Sequence, residues 1–513
     1  MARRSSRRGE RDTRRSSTSK RLPWRQLRSP LAPVEVLSAD EIEAVHHASL
    51  RVLAEAGMRV TDREARDLLA AAGAEVDHGE EIVRFDPALV EEQVDKAPAS
   101  FTIAARNPAK SITVGGNCIN FVPVGGPSFV SDLDKGRRAG TMAELIDFTK
   151  LIQAFDVIHA AGVSSFEPLD LPVESRHLDS YYAAIRYTDK VWSSWLLGAG
   201  RAEDALQMSA IIHGIEREDL PKQPLVYGNI NTNSPRLLDG PMAQGLLTFA
   251  RARQPVVVTP FTLSGAMAPA TVAGALVEQN AEALAGITLA QVASPGCPVV
   301  YGGFTSNVDM KSGAPAFGTP EQTKATHATG QLCRRYGLPF RSSNTNASNC
   351  VDAQSAYESE MSLWGAVMGH ANFVFHAAGW LEGGLTASFE KLVIDAEMLQ
   401  MMAAYLDPLT IDEDSLAVEA ILETPPAGHF FGSSHTLERY ENAFYAPVVS
   451  DWRNYETWKD GGSRTTAERA NVIWKQLLQE YEAPPLDQSI DEALLAFIAR
   501  RKEELVGAEA ISR

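Results

Sequence analysis

A (β/α)8 TIM barrel, carrying an N-terminal helical and β extension and C-terminal wrapping helices, is the α/β fold this chain predicts. Three observations predict it. From about residue 140, apolar runs alternate seven times with helical stretches. Runs such as PVVVTPF and PVVYGGF lack polar alternation, as strands buried on both faces do. One further strand from residues 118–131 makes eight units in roughly 280 residues, the size of a barrel. The rival is a doubly wound open sheet, but no Gly-rich fingerprint follows the first strand.

In chain order, residues 1–34 read as a disordered basic tail without apolar periodicity. Residues 35–117 read as an N-terminal extension. Ser38 and Glu41 form a capping box for a helix that Gly57 stops. A second helix runs from near Asp62 to Gly73, and a third follows Pro87. Short strands are expected at 82–85, 101–103, 112–114 and 119–121. Residues 118–405 read as the barrel. Helices at 142–155, 173–187, 202–214, 240–252, 270–293, 321–336 and 353–369 lead to strands at 157–163, 191–197, 225–230, 256–261, 299–304, 338–342 and 372–377. The closing helix, 388–405, opens at Ser388. Residues 406–513 read as a segment with two helices that wraps the barrel.

Composition is ordinary for a globular chain, 44% hydrophobic and 22% charged. No apolar run is long enough to span a membrane, and no apolar leader opens the chain. A cytoplasmic location is the expectation. Cys118, Cys297, Cys333 and Cys350 form no C-x-x-C pair and read as free thiols. Net charge is −17, yet residues 1–30 set eleven Arg and Lys against Glu10 and Asp12. The acidic body argues against a nucleic-acid face. The basic tail reads as a solvated extension.

Barrel active sites lie at the C-terminal ends of the strands. Those ends supply Trp195, Tyr227, Asn229, Phe261, Tyr301, Phe304, Arg341, Ser343, Asn344, His376, Gly379, Trp380 and Glu382. The set is rich in rings and amides and poor in lysine and paired acids. Glu167 and Glu382 are the one pair of acids on offer for glycosidase-type chemistry. No strand end carries a lysine for Schiff-base chemistry. The turn Gly383-Gly384 leading to Ser388 suits either a phosphate or a plain helix cap. His376 reads either as an interior barrel histidine or as a functional one. No H-E-x-x-H or H-x-C spacing supports a metal, so none is expected. Rings around a mouth suit a quaternary or protonated amine, which cation–π attraction stabilises by ~0.5–2 kcal/mol per desolvated ring.

The runs HAAGWLEGGLTASFEKLVIDAEML and VDAQSAYESEMSLWGAVMGHANFVFHAAG resemble the trimethylamine:corrinoid methyltransferase family. GHFFGSSHTLERYENAFYAPVVSDWRNYETWKDGG resembles that family's C-terminal stretch, and EIEAVHHASLRVLAEAGMRV with PASFTIAARNP its N-terminal stretch. The resemblance implies a barrel that moves a methyl group from a methylated amine to the cobalt of a corrinoid. The corrinoid (cobalamin) is carried by a separate corrinoid-binding protein, and this chain lacks the D-x-H-x-x-G cobalamin motif. The family's trimethylamine enzymes use pyrrolysine, whereas the matching stretch here, SSNTNASNC at 342–350, holds standard residues. That departure is similar to the branch acting on glycine betaine or other quaternary amines. In this reading His376 and Glu382 are catalytic. Trp195, Tyr227, Asn229, Phe261, Tyr301, Phe304, Arg341, Ser343, Asn344 and Trp380 bind substrate, and Gly379, Gly383 and Gly384 face the cofactor. A homo-oligomer is expected.

Overall fold

Eight parallel strands follow one another around a single sheet in the computed structural model, which describes residues 21–512. They are β1 (Cys118–Phe121), β2 (Ala160–Gly162), β3 (Val191–Trp195), β4 (Tyr227–Thr232), β5 (Val256–Ser264), β6 (Val299–Gly302, continued by Phe304–Val308), β7 (Phe340–Ser343) and β8 (Phe373–Phe375). Seven seams are parallel ladders, including β8 on β1, where Val374 opposes Phe121. The eighth seam, between β1 and β2, is bridged where the His159 N–H donates to the Phe121 carbonyl at 2.9 Å. A ladder cannot extend there, because Leu27–Arg28 pairs antiparallel with Cys118 and Ile119 on the lower part of that edge.

The eight helices are α1 (Met142–Ala154), α2 (Arg176–Tyr187), α3 (Ala199–His213), α4 (Gly240–Arg251), α5 (Val272–Ala293), α6 (Pro320–Tyr336), α7 (Ala353–Met368) and α8 (Phe389–Tyr405). Their starts are chemically marked. Thr141, Asp239, Thr271, Thr319, Asp352 and Ser388 each accept a hydrogen bond from a first-turn N–H. Alternation along the strands divides the core in two. Tyr227, Val257, Val300, Phe373 and Phe375 fill the barrel, while their neighbours in sequence meet the helices. The hairpin of Ser100–Ile103 and Ile112–Gly115 closes the bottom by adding Ile103, Ile112 and Val114 to that interior cluster.

Three expectations change. The tail expected to be disordered through residue 34 is ordered from residue 21, whereas residues 1–20 lie outside the described residues. Apolar Trp24 and Leu27 anchor it, with Gln26 bonded to Asn120 at 3.0 Å. Residues 129–132 leave the first strand and form a separate sheet with 136–139, 380–381 and 386–388 beside β1 and β8. The C-terminal segment has six helices among the described residues. Thr466–Gln479 packs on α8 and Gln488–Ser512 near α3, but the four short helices before them bury no residue.

Candidate functional site

The mouth is built by inward-facing residues near the strand ends. β3 brings Trp195, β4 Asn229, β5 Phe261, β6 Phe304, β7 Arg341 and Ser343, and β8 Phe375. Beyond β8 the chain turns at His376, whose φ of 55° is in the left-handed region. Few non-glycine residues adopt it, and here it follows the last residue of the ladder. The turned imidazole lies 4.3 Å from the Trp380 ring and 5.6 Å from Phe304. Its Nδ1 is 3.2 Å from the Ser343 hydroxyl. Burial holds its pKa well below 6.5, and Arg341 adds to that, so the ring is neutral at pH 7.

Arg341 is the dominant electrostatic feature. It is 3% exposed, and its guanidinium carbon lies 4.5 Å from the Phe375 ring centroid and 5.0 Å from that of Phe304. Nε and Nη1 are buried without a hydrogen-bond partner. No carboxylate of the described residues lies within ion-pair distance of it. Burial pushes its pKa down to about 9, so it remains a cation at pH 7. A buried cation with unused donors costs several kcal/mol unless paired, and the missing partner is an anion.

Beside it, the Tyr227 hydroxyl and the Trp195 indole N–H are also buried without partners. Asn229 accepts from the Thr259 hydroxyl at 2.9 Å and donates to Asn231 at 2.9 Å, so its amide is fixed. Trp195, Tyr227, Asn229, Phe375 and His376 line a small cavity of about 30 Å³. On the other side Phe304 packs against Phe261 at 5.1 Å and Phe317 at 5.8 Å.

Hydrogen bonds from the β7 loop and a glycine corner hold this wall in place. The Trp380 Nε1–H donates to the Asn346 carbonyl at 2.9 Å, and the Asn346 amide donates back at 2.7 Å. Asn344 donates to the Ala377 carbonyl at 3.0 Å, tying β7's loop to β8's. Gly379 (φ 98°) gives its N–H to Asp395, and a Cβ there would lie 2.9 Å from Phe148. Gly384 (φ 101°) sits against the Trp380 ring, where a Cβ would approach to 2.5 Å. Gly383 donates to the Asn346 carbonyl at 3.2 Å. The three glycines therefore shape the corner that carries Trp380.

Other predicted residues sit elsewhere. Tyr301 faces outward from β6, stacked on Tyr336 and donating to Asn280 at 3.0 Å. Strand alternation explains this, because Val300 takes the inward position. Glu382 accepts from Arg137 at 2.8 Å and from Thr386 at 2.6 Å. Glu167 pairs with Arg176 at 2.7 Å. With each acid tied to its own arginine, the two do not form a free acid pair. Sequence reasoning missed Phe375, which the alternation from Phe373 marks as inward. It also missed Phe317, which lies in a loop and carries no pattern. Among the described residues, one cluster, Glu43 with His46 and His47, groups three metal-capable side chains. It belongs to the helix Ala39–Glu55 and not to the mouth.

Fold and site together define a TIM barrel whose mouth joins aromatic walls to an unpaired cation. The chain belongs to the trimethylamine methyltransferase (MTTB) family, whose model matches residues 3–506. It is 37% identical over 480 residues to the glycine betaine methyltransferase of Desulfitobacterium hafniense strain Y51, covering 93% of this chain and 99% of that protein. It is 28% identical to the trimethylamine methyltransferase MttB of D. hafniense strain DSM 10664 / DCB-2, covering 91% of this chain and 94% of that one. The solved monomethylamine methyltransferase (MtmB) of Methanosarcina barkeri aligns over 87% of this chain and 93% of its own, at 9% identity and a TM-score of 0.46.

Proposed function

We propose that this methyltransferase takes a methyl group from a carboxylated quaternary amine of the glycine betaine type and delivers it to the reduced cobalt of a corrinoid on a separate protein. The observation that carries this reading is Arg341, a buried guanidinium with unused donors beside Phe375 and Phe304. A substrate carboxylate supplies the missing anion, and charge-assisted bonds of this kind are the strong ones. The rings then face the ammonium end. Trimethylamine has no carboxylate and leaves Arg341 unpaired.

The chemistry requires little of the protein beyond placement. The carbon–nitrogen bond breaks with its electron pair staying on nitrogen, and a neutral tertiary amine leaves. The methyl carbon bonds to cobalt through the cobalt's own electron pair. No proton moves, which agrees with a neutral His376 and with Glu382 committed to Arg137. Alignment of methyl, nitrogen and cobalt is the chain's contribution. The cavity beside Trp195 is only about 30 Å³, so a trimethylammonium head enters only as side chains there move aside.

The test mixes the purified protein with free cob(I)alamin and, separately, glycine betaine, tetramethylammonium and trimethylamine. Absorbance follows methylated corrinoid. Glycine betaine reacting fastest supports the reading. Binding without methylation would make the barrel a methylated-amine-binding protein instead.

A further inference from the structure

Lys391 and Asp395 are fully buried in the first two turns of α8 and paired with each other. Such a pair adds little net stability, because removing two charges from water costs about as much as their attraction gains. It does supply two directed, charge-assisted hydrogen-bonding ends. Here the two ends reach the two sides of the corner that carries Trp380. Asp395 accepts the Gly379 N–H at 2.8 Å, one residue before Trp380. Lys391 donates to the Ser359 hydroxyl oxygen on α7 at 2.9 Å. That oxygen also accepts from the Asn346 amide at 3.2 Å, and the same amide donates to the Trp380 carbonyl at 2.7 Å. The Asn346 main-chain carbonyl then accepts the Trp380 indole N–H at 2.9 Å. Main chain and ring of Trp380 are therefore both held by Asn346. The Asn346 side-chain oxygen is buried without a partner, so its amide is oriented by the Ser359 and Trp380 bonds alone. Ser359 is 1% exposed and Asn346 0%, so solvent does not compete for these bonds.

We propose that Lys391, Asp395 and Ser359 are positioning residues for Trp380. They set the ring's angle against His376 and Phe304, at 47° and 86°, and so fix one wall of the mouth for an ammonium group. The ammonium rests on the methylated-amine reading above, whereas the position of the ring does not. Two contrasts favour the proposal. The indole N–H groups of Trp24, Trp192 and Trp195 are buried without partners, whereas that of Trp380 is bonded. An apolar pair of similar volume on α8 would pack with no loss of stability, but it would hold neither Gly379 nor, through Ser359, Asn346.

The experiment labels the eight tryptophans with 5-fluorotryptophan and assigns the Trp380 fluorine signal by Trp380→Phe. The wild type gives one Trp380 signal. In Ser359→Ala that signal splits or shifts by more than its width, while those of Trp24 and Trp192 stay in place. Lys391→Met/Asp395→Asn does the same, and it serves should Ser359→Ala fail to fold, because it leaves no unpaired charge. With free cob(I)alamin and glycine betaine, each variant raises KM about three- to tenfold with a smaller change in kcat, the size of one ring contact. A merely structural role would lower the melting temperature and leave the Trp380 signal and KM as they are. An unmoved signal in a folded variant, or a moved signal with KM unchanged, overturns the proposal. If the wild type methylates from no amine, the proposed function fails, and the fluorine spectrum alone decides whether the ring is positioned.

Discussion

His376 and Trp380 meet with ring centroids 4.3 Å apart and planes tilted by 47°. The contact joins the residue that follows the last barrel strand to the glycine corner beyond it. Both rings are held from behind, His376 by Ser343 and Trp380 by Asn346. Because burial keeps His376 neutral, its titration lies below the working range. Methyl transfer from a quaternary amine is therefore level between about pH 6 and pH 8. A pH profile of the single-turnover rate checks this. A rise or fall centred near the ordinary histidine value of 6.5 would contradict a neutral His376.

Stability, by contrast, depends on acid. His159 is fully buried at the β1–β2 seam, accepting from the Phe121 N–H at 3.0 Å and lying 3.1 Å from the Arg25 carbonyl. Burial pushes its pKa down to about 3 from 6.5. Below 6.5 the unfolded chain takes up a proton that the folded chain refuses. Stability is therefore lost as pH falls from 6.5 toward 3. At pH 5 this one residue costs about 2 kcal/mol. Denaturant midpoints at pH 7 and pH 5 measure the loss, and His159→Gln reduces it.

Behind the glycine corner, Lys391 and Asp395 form an ion pair on α8 with essentially no exposure. Asp395 also receives the Gly379 N–H at 2.8 Å, and Lys391 donates to Ser359 at 2.9 Å. Removing one partner strands a buried charge. Lys391→Met is expected to cost roughly 3–5 kcal/mol. Lys391→Met/Asp395→Asn recovers much of that, since asparagine still offers Gly379 an acceptor. A double-mutant cycle by chemical unfolding gives the coupling. Additive losses would mean the pair contributes no mutual stabilisation.

Much of this architecture is written in local pattern. Most of the strands stand out as apolar runs between helices, as PVVVTPF is between α4 and α5. Ser388 as the cap of α8 and the outlines of α5 to α7 follow from the same chemistry. Side-chain direction was less legible. Tyr301 and Phe304 look alike as mouth residues, yet their directions depend on strand phase and on the break at Gly303. The use of Glu382 depends on Arg137, which is far away in sequence. The unpaired state of Arg341 is a property of its whole surroundings, which no motif encodes. The tail from residue 21 and the four short C-terminal helices that bury no residue are likewise settled by packing and not by propensity.

The central claim is that Arg341 receives a substrate carboxylate while the rings hold the ammonium end. It is tested most directly by following methylation of free cob(I)alamin from glycine betaine with the wild type and with Arg341→Gln. Losing a charge-assisted bond of about 1.5–3 kcal/mol lowers kcat/KM roughly 10- to 100-fold. The account predicts turnover by the wild type and a loss of that size in the variant. Equal rates in the two proteins, or no methylation from any quaternary amine, would contradict it.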